Sequence, residues 1–246
     1  MPNLKGKRAL VTGGSRGIGA AIALALAESG ADVAITYQNS TKRADSVVTS
    51  ITKLGRRGFS IQADSADPEA IKRAVSEAVE TLGGLDILVN SAAVGLAGPV
   101  AQVDLAEFQM MMDVNVRGPF VAAQAAIPHL SKGGRIISIG SALAQSVPFP
   151  GVTAYAMSKS ALLSFTRGLS RELGPQGITV NLVLPGSTNT EANPADGEGA
   201  DFQRSLSSIG RYAEPREIAD AVVFLASPSA NMVTGSTLTV DGGANA

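Results

Sequence analysis

Cysteine and tryptophan are absent from the 246-residue chain, and histidine occurs once, at His129. Without cysteine there is no disulfide, thiolate nucleophile, iron–sulfur cluster or thiolate-ligated zinc. With one histidine there is no His-rich centre either, and no metal site is expected. Aromatic residues make up 4%, too few for a stacking platform for single-stranded nucleic acid. Neither sign of charge is in excess: 20 Lys and Arg face 21 Asp and Glu, for a net charge of -1. Such a balance leaves no electrostatic footprint for nucleic acid or an anionic membrane. Charged residues are 17% and hydrophobic residues 45%, against roughly 25% charged in an average soluble domain. Much surface is therefore expected to be buried, between subunits as well as in the core. The longest purely apolar run is Ala20 to Ala27, far short of the about 20 residues that span a bilayer. Met1 to Arg8 carries no apolar signal-peptide core. The expectation is a soluble cytoplasmic protein that binds neither a nucleic-acid polymer nor a membrane.

What is present is alternation. Short β-rich runs at Arg8–Thr12, Asp32–Tyr37, Gly58–Gln62, Leu85–Asn90, Arg135–Gly140, Thr179–Leu184 and Thr237–Val240 predict seven strands. Several are continuously apolar, as strands covered on both faces are. Between them, helices are predicted over Gly17–Glu28, Thr41–Leu54, Pro68–Leu82, Leu105–Leu130, Ala154–Leu173 and Pro215–Ala226, with Gly or Pro at many boundaries. Strand–helix alternation implies βαβ units, and so an α/β fold with a doubly wound parallel sheet. No linker divides residues 1–246, which read as a single domain. The stretch after the sixth strand, residues 186–212, has little periodicity and reads as a mobile flap with a short helix around Phe202–Ser207.

The first strand runs into Thr12-Gly13-Gly14-Ser15-Arg16-Gly17-Ile18-Gly19, where the next helix begins. Glycines permit a sharp turn and close approach to a pyrophosphate, and the helix N-terminus adds free N–H groups and partial positive charge. Gly13-Gly14-Ser15-Arg16-Gly17 also spells the nucleophile-elbow pattern of hydrolases. Its position after the first strand leaves no upstream loop to complete an oxyanion hole. The one histidine, beside Pro128 and Leu130, reads as a packed or helix-end residue rather than a base. The second strand ends in Tyr37-Gln38-Asn39-Ser40, with no acid for the ribose hydroxyls of NAD, and Asp32 stands at the wrong end of that strand. Arg16, with Asn39, Ser40 and Thr41 as hydrogen-bonding groups, favours the extra phosphate of NADP over NAD.

Tyr155 and Lys159 are four apart in a helical stretch and project from one face. A nearby ammonium stabilises a phenolate and is expected to lower the tyrosine pKa. Ser141 follows the fifth strand, at the carboxyl edge where ligands bind in such sheets.

The ordered set Thr12-Gly13-x-x-x-Gly17-x-Gly19, Asp64, Asn90-Ser91-Ala92-Ala93, Asn115, Ser141, Tyr155-x-x-x-Lys159 and Pro185-Gly186 resembles the short-chain dehydrogenase/reductases over essentially the whole chain. The resemblance implies a Rossmann-type sheet and hydride transfer between NADP(H) and a ketone or secondary alcohol. It implies Tyr155 as general acid in reduction, Ser141 on the carbonyl oxygen, Lys159 on the nicotinamide ribose, and Asn115 anchoring a water of the proton relay. Cofactor contacts are implied for Gly13, Ser15, Arg16, Gly17, Ile18 and Gly19 in the first turn. Further contacts are implied for Tyr37, Asn39 and Ser40 after the second strand, Asp64 and Ser65 after the third, and Asn90 and Ala92 after the fourth. Pro185, Gly186, Thr188 and Thr190 follow the sixth strand, and Tyr155 and Lys159 complete the set. One departure stands out: Ala93 replaces the family's glycine, adding a methyl where backbone passes close to cofactor.

An apolar substrate pocket is expected from Val94–Leu96, Leu143, Ala144, Gln145, Val147, Phe149 and Phe202, without a cation to clamp a carboxylate; a neutral ketone is favoured. Two alternatives remain open. One is a 3-oxoacyl-carrier-protein reductase, for which Arg117, Lys132 and Arg167 are scattered docking candidates. The other follows Thr190-Glu191-Ala192-Asn193-Pro194-Ala195-Asp196-Gly197, which is similar to family members that bind cyclic-di-GMP in biofilm dispersal. Apolar surplus on Leu105–Leu130 and Ala154–Leu173 predicts subunit contacts, and the resemblance implies a homotetramer built on these helices and the last strand.

Overall fold

The computed structural model describes residues 3–246. Met1 and Pro2, which open the stretch read above for a signal peptide, lie outside the described residues.

The first half alternates β1 (Arg8–Val11), α1 (Gly17–Glu28), β2 (Asp32–Tyr37), α2 (Thr41–Lys53), β3 (Gly58–Gln62) and α3 (Pro68–Leu82). The second half holds β4 (Ile87–Asn90), α4 (Leu105–Met112), α5 (Gly118–Ala126), β5 (Arg135–Ile139), α6 (Thr153–Leu173), β6 (Thr179–Pro185), α7 (Ala200–Leu206), α8 (Pro215–Ala226) and β7 (Thr237–Val240). All seven strands pair in parallel, in the order β3-β2-β1-β4-β5-β6-β7. The Rossmann-type doubly wound sheet follows from the apolar runs. Along a strand, neighbouring side chains face opposite ways, and both faces here are covered. Ala9, Val11, Val33, Ile35, Val89 and Ile137 pack with α1, α2 and α8. Leu10, Ala34, Leu88 and Ile136 pack with α3, α5 and α6. The order reverses direction between β1 and β4, and a crevice opens at the carboxyl ends of the strands there.

Leu105–Leu130 is not one regular helix. The wider π spacing of Asp113–Arg117 separates α4 from α5, and a 3-10 turn, Ile127–His129, ends the segment. Gly118 explains the fit: a Cβ there would lie 2.8 Å from the Ser65 carbonyl oxygen. The extra residue in the π turn turns Asn115 inward, buried at 1% exposure. His129 is exposed at the end of the 3-10 turn.

The segment after β6 has more structure than its sequence suggests. Thr188 bridges to Ala213, Thr190 to Asn193, and α7 spans Ala200–Leu206. The Ser207 hydroxyl donates to the Gly242 carbonyl at 3.0 Å, tying the end of this segment to the residues after β7. Among the described residues, no helix is long and apolar enough to cross a membrane.

Candidate active site

The glycine turn after β1 is held by residues that have no other local task. The Thr12 hydroxyl accepts from the backbone N–H groups of Ser91 and Ala92 at 3.0 and 3.1 Å, clamping the loop after β4 to the turn. The Gly13 N–H donates to the Thr36 hydroxyl at 3.1 Å. Gly13 has φ +66°, and a Cβ on it would lie 2.8 Å from the Ala92 Cα, so only glycine fits both its conformation and its neighbour. Arg16 takes the N-cap position of α1 with an extended backbone, makes no side-chain cap, and no acid follows in the first turn. The donors at this helix end are therefore offered to the crevice rather than to the chain.

The crevice is a cleft of about 910 Å³. Its first end is walled by Gly13, Ser15, Arg16, Gly17, Ile18 and Gly19, by Tyr37, Asn39 and Ser40 after β2, and by Asp64 and Ser65 after β3. The Asp64 carboxylate accepts from the Ala66 N–H at 2.8 Å, which fixes its loop. Asp32 lies away from this wall, bound by Arg56 at 2.6 Å and Arg57 at 2.8 Å. Ala92 and Ala93 line the middle, and Pro185, Gly186, Thr188 and Thr190 the opposite rim. The Thr188 hydroxyl donates to the Gly186 carbonyl at 3.0 Å, and the Thr190 hydroxyl accepts from the Asn193 N–H at 3.2 Å.

Ser141 and Tyr155 line the other end. The Ser141 hydroxyl accepts from the Leu143 N–H at 3.2 Å, which leaves its own proton to face the Tyr155 oxygen at the cleft. Lys159 and Asn115 stand behind this wall, 2% and 1% exposed. The Lys159 ammonium donates to the Ile139 carbonyl at 3.1 Å and lies 5.7 Å from the centre of the Tyr155 ring. Burial pushes Lys159 down to about 8. The Asn115 amide accepts from the Val94 N–H at 2.9 Å and donates to the Val94 carbonyl at 2.9 Å and the Ser158 hydroxyl at 3.0 Å. Ser158 donates in turn to the Tyr155 carbonyl at 2.7 Å. Asn115 thus locks the loop after β4 to the turn of α6 that carries Tyr155.

The expected lowering of the Tyr155 pKa does not hold in the chain as it stands. Enclosure at the foot of the cleft raises the phenol above its ordinary value, and the hydrogen bond with Ser141 offsets only part of that. Desolvation is the largest influence on the phenol and outweighs what the ammonium, 5.7 Å from the ring centre, contributes.

Asn90 is buried behind the cleft rather than in its wall. Its amide donates to the Ser138 hydroxyl at 3.4 Å, while its carbonyl oxygen has no partner. Of the expected substrate pocket, Val94, Leu96, Leu143 and Phe149 line the cleft. Ala144 is buried beneath it, Gln145 accepts from the Thr239 hydroxyl at 3.4 Å, and Val147 is exposed. Phe202 packs edge-on against Phe149, ring centres 5.6 Å apart. Sequence reasoning missed Thr36, Ser158, Arg43, Gln203 and Asn245, and named Glu191 only within the Thr190–Gly197 pattern. Only Ser158 carried a local signal, one turn after Tyr155.

The residues fit a dinucleotide: a glycine cradle that a Cβ would fill, and an uncapped helix N-terminus opening onto a cleft of about 910 Å³. Comparison with known proteins agrees. The family model described as enoyl-(acyl carrier protein) reductase matches residues 13–245. A short-chain dehydrogenase from Burkholderia cenocepacia J2315, solved in complex with NADP, is 55% identical, with TM-score 0.98, covering 99% of this chain and 100% of that one. A blue fluorescent protein from a metagenomic library, solved with NADPH, is 52% identical, with TM-score 0.98 and coverage of 99% and 100%. The cyclic-di-GMP-binding biofilm dispersal mediator protein of Escherichia coli K12 is 40% identical over 237 residues, 96% of each chain.

Proposed function

The chain belongs to the short-chain dehydrogenase/reductase family of oxidoreductases, and on that premise we propose that it is an NADP(H)-dependent carbonyl reductase, reversibly an alcohol dehydrogenase, acting on neutral ketones. One observation carries this reading: Ser141, Tyr155 and Lys159 converge at one end of a cleft whose other end is an uncapped, glycine-built helix N-terminus.

The α1 N-terminus and the glycine turn would hold the pyrophosphate of NADP, Arg16, Asn39 and Ser40 its 2′-phosphate, and Asp64 and Ser65 its adenine end. Thr188 and Thr190 would hold the nicotinamide side. Bound there, NADPH supplies the hydride. The chain supplies the rest. Ser141, with its oxygen occupied by the Leu143 N–H, gives its proton to the carbonyl oxygen as a hydrogen bond and orients it. Tyr155 keeps its own proton at neutral pH because enclosure raises the phenol. It gives that proton to the oxygen as the alcohol forms, and the buried Lys159 charge stabilises the phenolate left behind. Lys159, pushed down to about 8, is poised to lose and regain a proton near physiological pH. Asn115 acts through Ser158 and Val94, as a positioning residue for Tyr155.

The reactive end is walled by Val94, Leu96, Leu143, Phe149 and Leu206. The cations lining the cleft, Arg16 and Arg43, both belong to the other end, after β1 and β2. An anionic substrate would find no partner beside Tyr155, which favours a neutral ketone. Residues 186–212 form the proposed substrate flap. Exposed Leu105, Met110, Phe120 and Met157 on α4, α5 and α6 support a homotetramer; a monomeric mass by light scattering at micromolar concentration would refute it. The carrier-protein alternative draws less support. Arg117, one of its candidate docking cations, is committed to Asp113 at 3.1 Å and to the Ala66 carbonyl at 2.8 Å.

The experiment is NADPH oxidation followed with a panel of aryl, cyclic and keto-ester ketones, with a 3-oxoacyl carrier-protein substrate, and with cyclic-di-GMP as a binding competitor. Turnover of simple ketones is expected. No carbonyl turnover, together with tight cyclic-di-GMP binding, would replace this reading with that of a nucleotide sink.

A further inference from the structure

The tip of the segment after β6 rests on the nucleotide end of the cleft by two contacts. Thr190 stands against the first turn of α1, where a Cβ on Gly17 would lie 3.5 Å from its Cγ2. Next to it, the Glu191 carboxylate forms an ion pair with the Arg43 guanidinium of α2 at 2.6 Å. Glu191 is placed by a tight turn, since Thr190 and Asn193 exchange backbone hydrogen bonds at 3.3 and 3.1 Å. Both partners of the pair are about half exposed and both line the cleft.

Arg43 lies one turn beyond Asn39 and Ser40, at the carboxyl end of β2, where a dinucleotide's adenosine ribose is received in this architecture. It is therefore within the wall that would meet a 2′-phosphate, yet its charge is spent on a carboxylate of the opposite rim. Exposed ion pairs are weak. A phosphate monoester carries close to two negative charges and three acceptor oxygens, and a guanidinium grips it with two parallel hydrogen bonds. A 2′-hydroxyl offers neither the charge nor the acceptors. The remaining ionic groups of this wall do not change the balance. Arg16 is exposed and makes no ion pair among the described residues, and Asp64 is held by the Ala66 N–H.

We propose that Arg43 is a specificity-determining residue for NADP over NAD, and that Glu191 is its internal competitor, so that the 2′-phosphate also unlatches the flap tip from α2. The inference rests on the NADP reading above and names the residues that set its selectivity. Glu191 acts against NADP by occupying Arg43, the cation the 2′-phosphate needs. It does not act against NAD, which has no such phosphate.

The test is isothermal titration with NADP+, NAD+ and adenosine 2′,5′-bisphosphate, on the wild type, Arg43→Ala, Glu191→Gln and the double variant. Arg43→Ala is expected to weaken NADP+ and the bisphosphate about 10–100-fold, and NAD+ by less than about twofold. Glu191→Gln is expected to tighten NADP+ about 3–10-fold with NAD+ unchanged, and to have no effect once Arg43 is alanine. Arg43→Lys, which keeps the charge and loses the fork, falls between wild type and alanine. Equal effects of Glu191→Gln on NADP+ and NAD+, or an effect that persists without Arg43, would overturn the proposal while leaving the cofactor reading intact. Failure of the wild type to bind either dinucleotide would overturn both.

Discussion

Helices α1 and α3 both leave the carboxyl edge of the same sheet, and they begin in opposite ways. At α3, Asp67 caps the Glu69 N–H at 2.9 Å, Pro68 stands at the first position where a donor would be wasted, and Glu69 complements the dipole. At α1, an exposed Arg16 fills the cap position, no side chain caps the helix, and no acid follows. Helix α3 satisfies its own end. Helix α1 leaves its end unsatisfied and surrounds it with glycine. The contrast separates a helix that serves stability from one that serves a ligand. The reactive end of the cleft repeats the lesson, because Lys159 is buried with one backbone acceptor and a depressed pKa.

The contrast can be broken most severely at Gly13. Gly13→Val forces a branched side chain into φ +66° and against Ala92. NADP+ affinity should fall beyond detection by calorimetry, with about 3 kcal/mol lost from unfolding free energy. Arg16→Asp converts the start of α1 into that of α3. The new cap should raise unfolding free energy by about 1 kcal/mol, while NADP+ affinity drops at least about 30-fold. Denaturant melts and titration on one sample would separate the two effects, and a variant that gained both would contradict the account.

Lys159→Met should stabilise the protein at pH 7 by about 1–3 kcal/mol, since the folded chain holds an ammonium whose pKa is about 8 rather than 10.5. The sign follows from proton counting. Between pH 8 and 10.5 the unfolded chain binds more protons than the folded one, so the wild type gains stability relative to the methionine variant as pH rises through that window. The advantage of methionine should therefore be full below pH 8 and gone above 10.5, while ketone reduction is lost throughout. The smallest change is Asp67→Ala, expected to cost about 1 kcal/mol in a denaturant melt and to leave NADP+ affinity unaltered.

Where the signal is local, the sequence is a sufficient guide. The central strands are legible because both of their faces are buried, which writes uninterrupted apolar runs such as Ile136–Ile137. The glycine turn is legible because its residues are consecutive, and Tyr155 with Lys159 because they are one helical turn apart. What depends on chains meeting in space is not legible. Thr12 and Thr36 act as clamps only because β4 and β2 flank β1. Arg43 and Glu191 are far apart in sequence and meet across the cleft. The π turn that carries Asn115 runs into Gly118, whose close approach to the Ser65 carbonyl is a contact between distant segments. The direction of the Tyr155 pKa is illegible for the same reason: the lysine is visible in the sequence, and the enclosure is not.

The central claim is that the Tyr155 hydroxyl delivers the proton to a carbonyl held beside it. Tyr155→Phe removes that oxygen and little else. Calorimetric titration of NADP+ and single-turnover NADPH oxidation with a reactive ketone, on wild type and variant together, would test it most directly. The account predicts NADP+ affinity within about twofold and a reduction rate at least about 1,000-fold lower. A phenylalanine variant that reduces the ketone at the wild-type rate would contradict it.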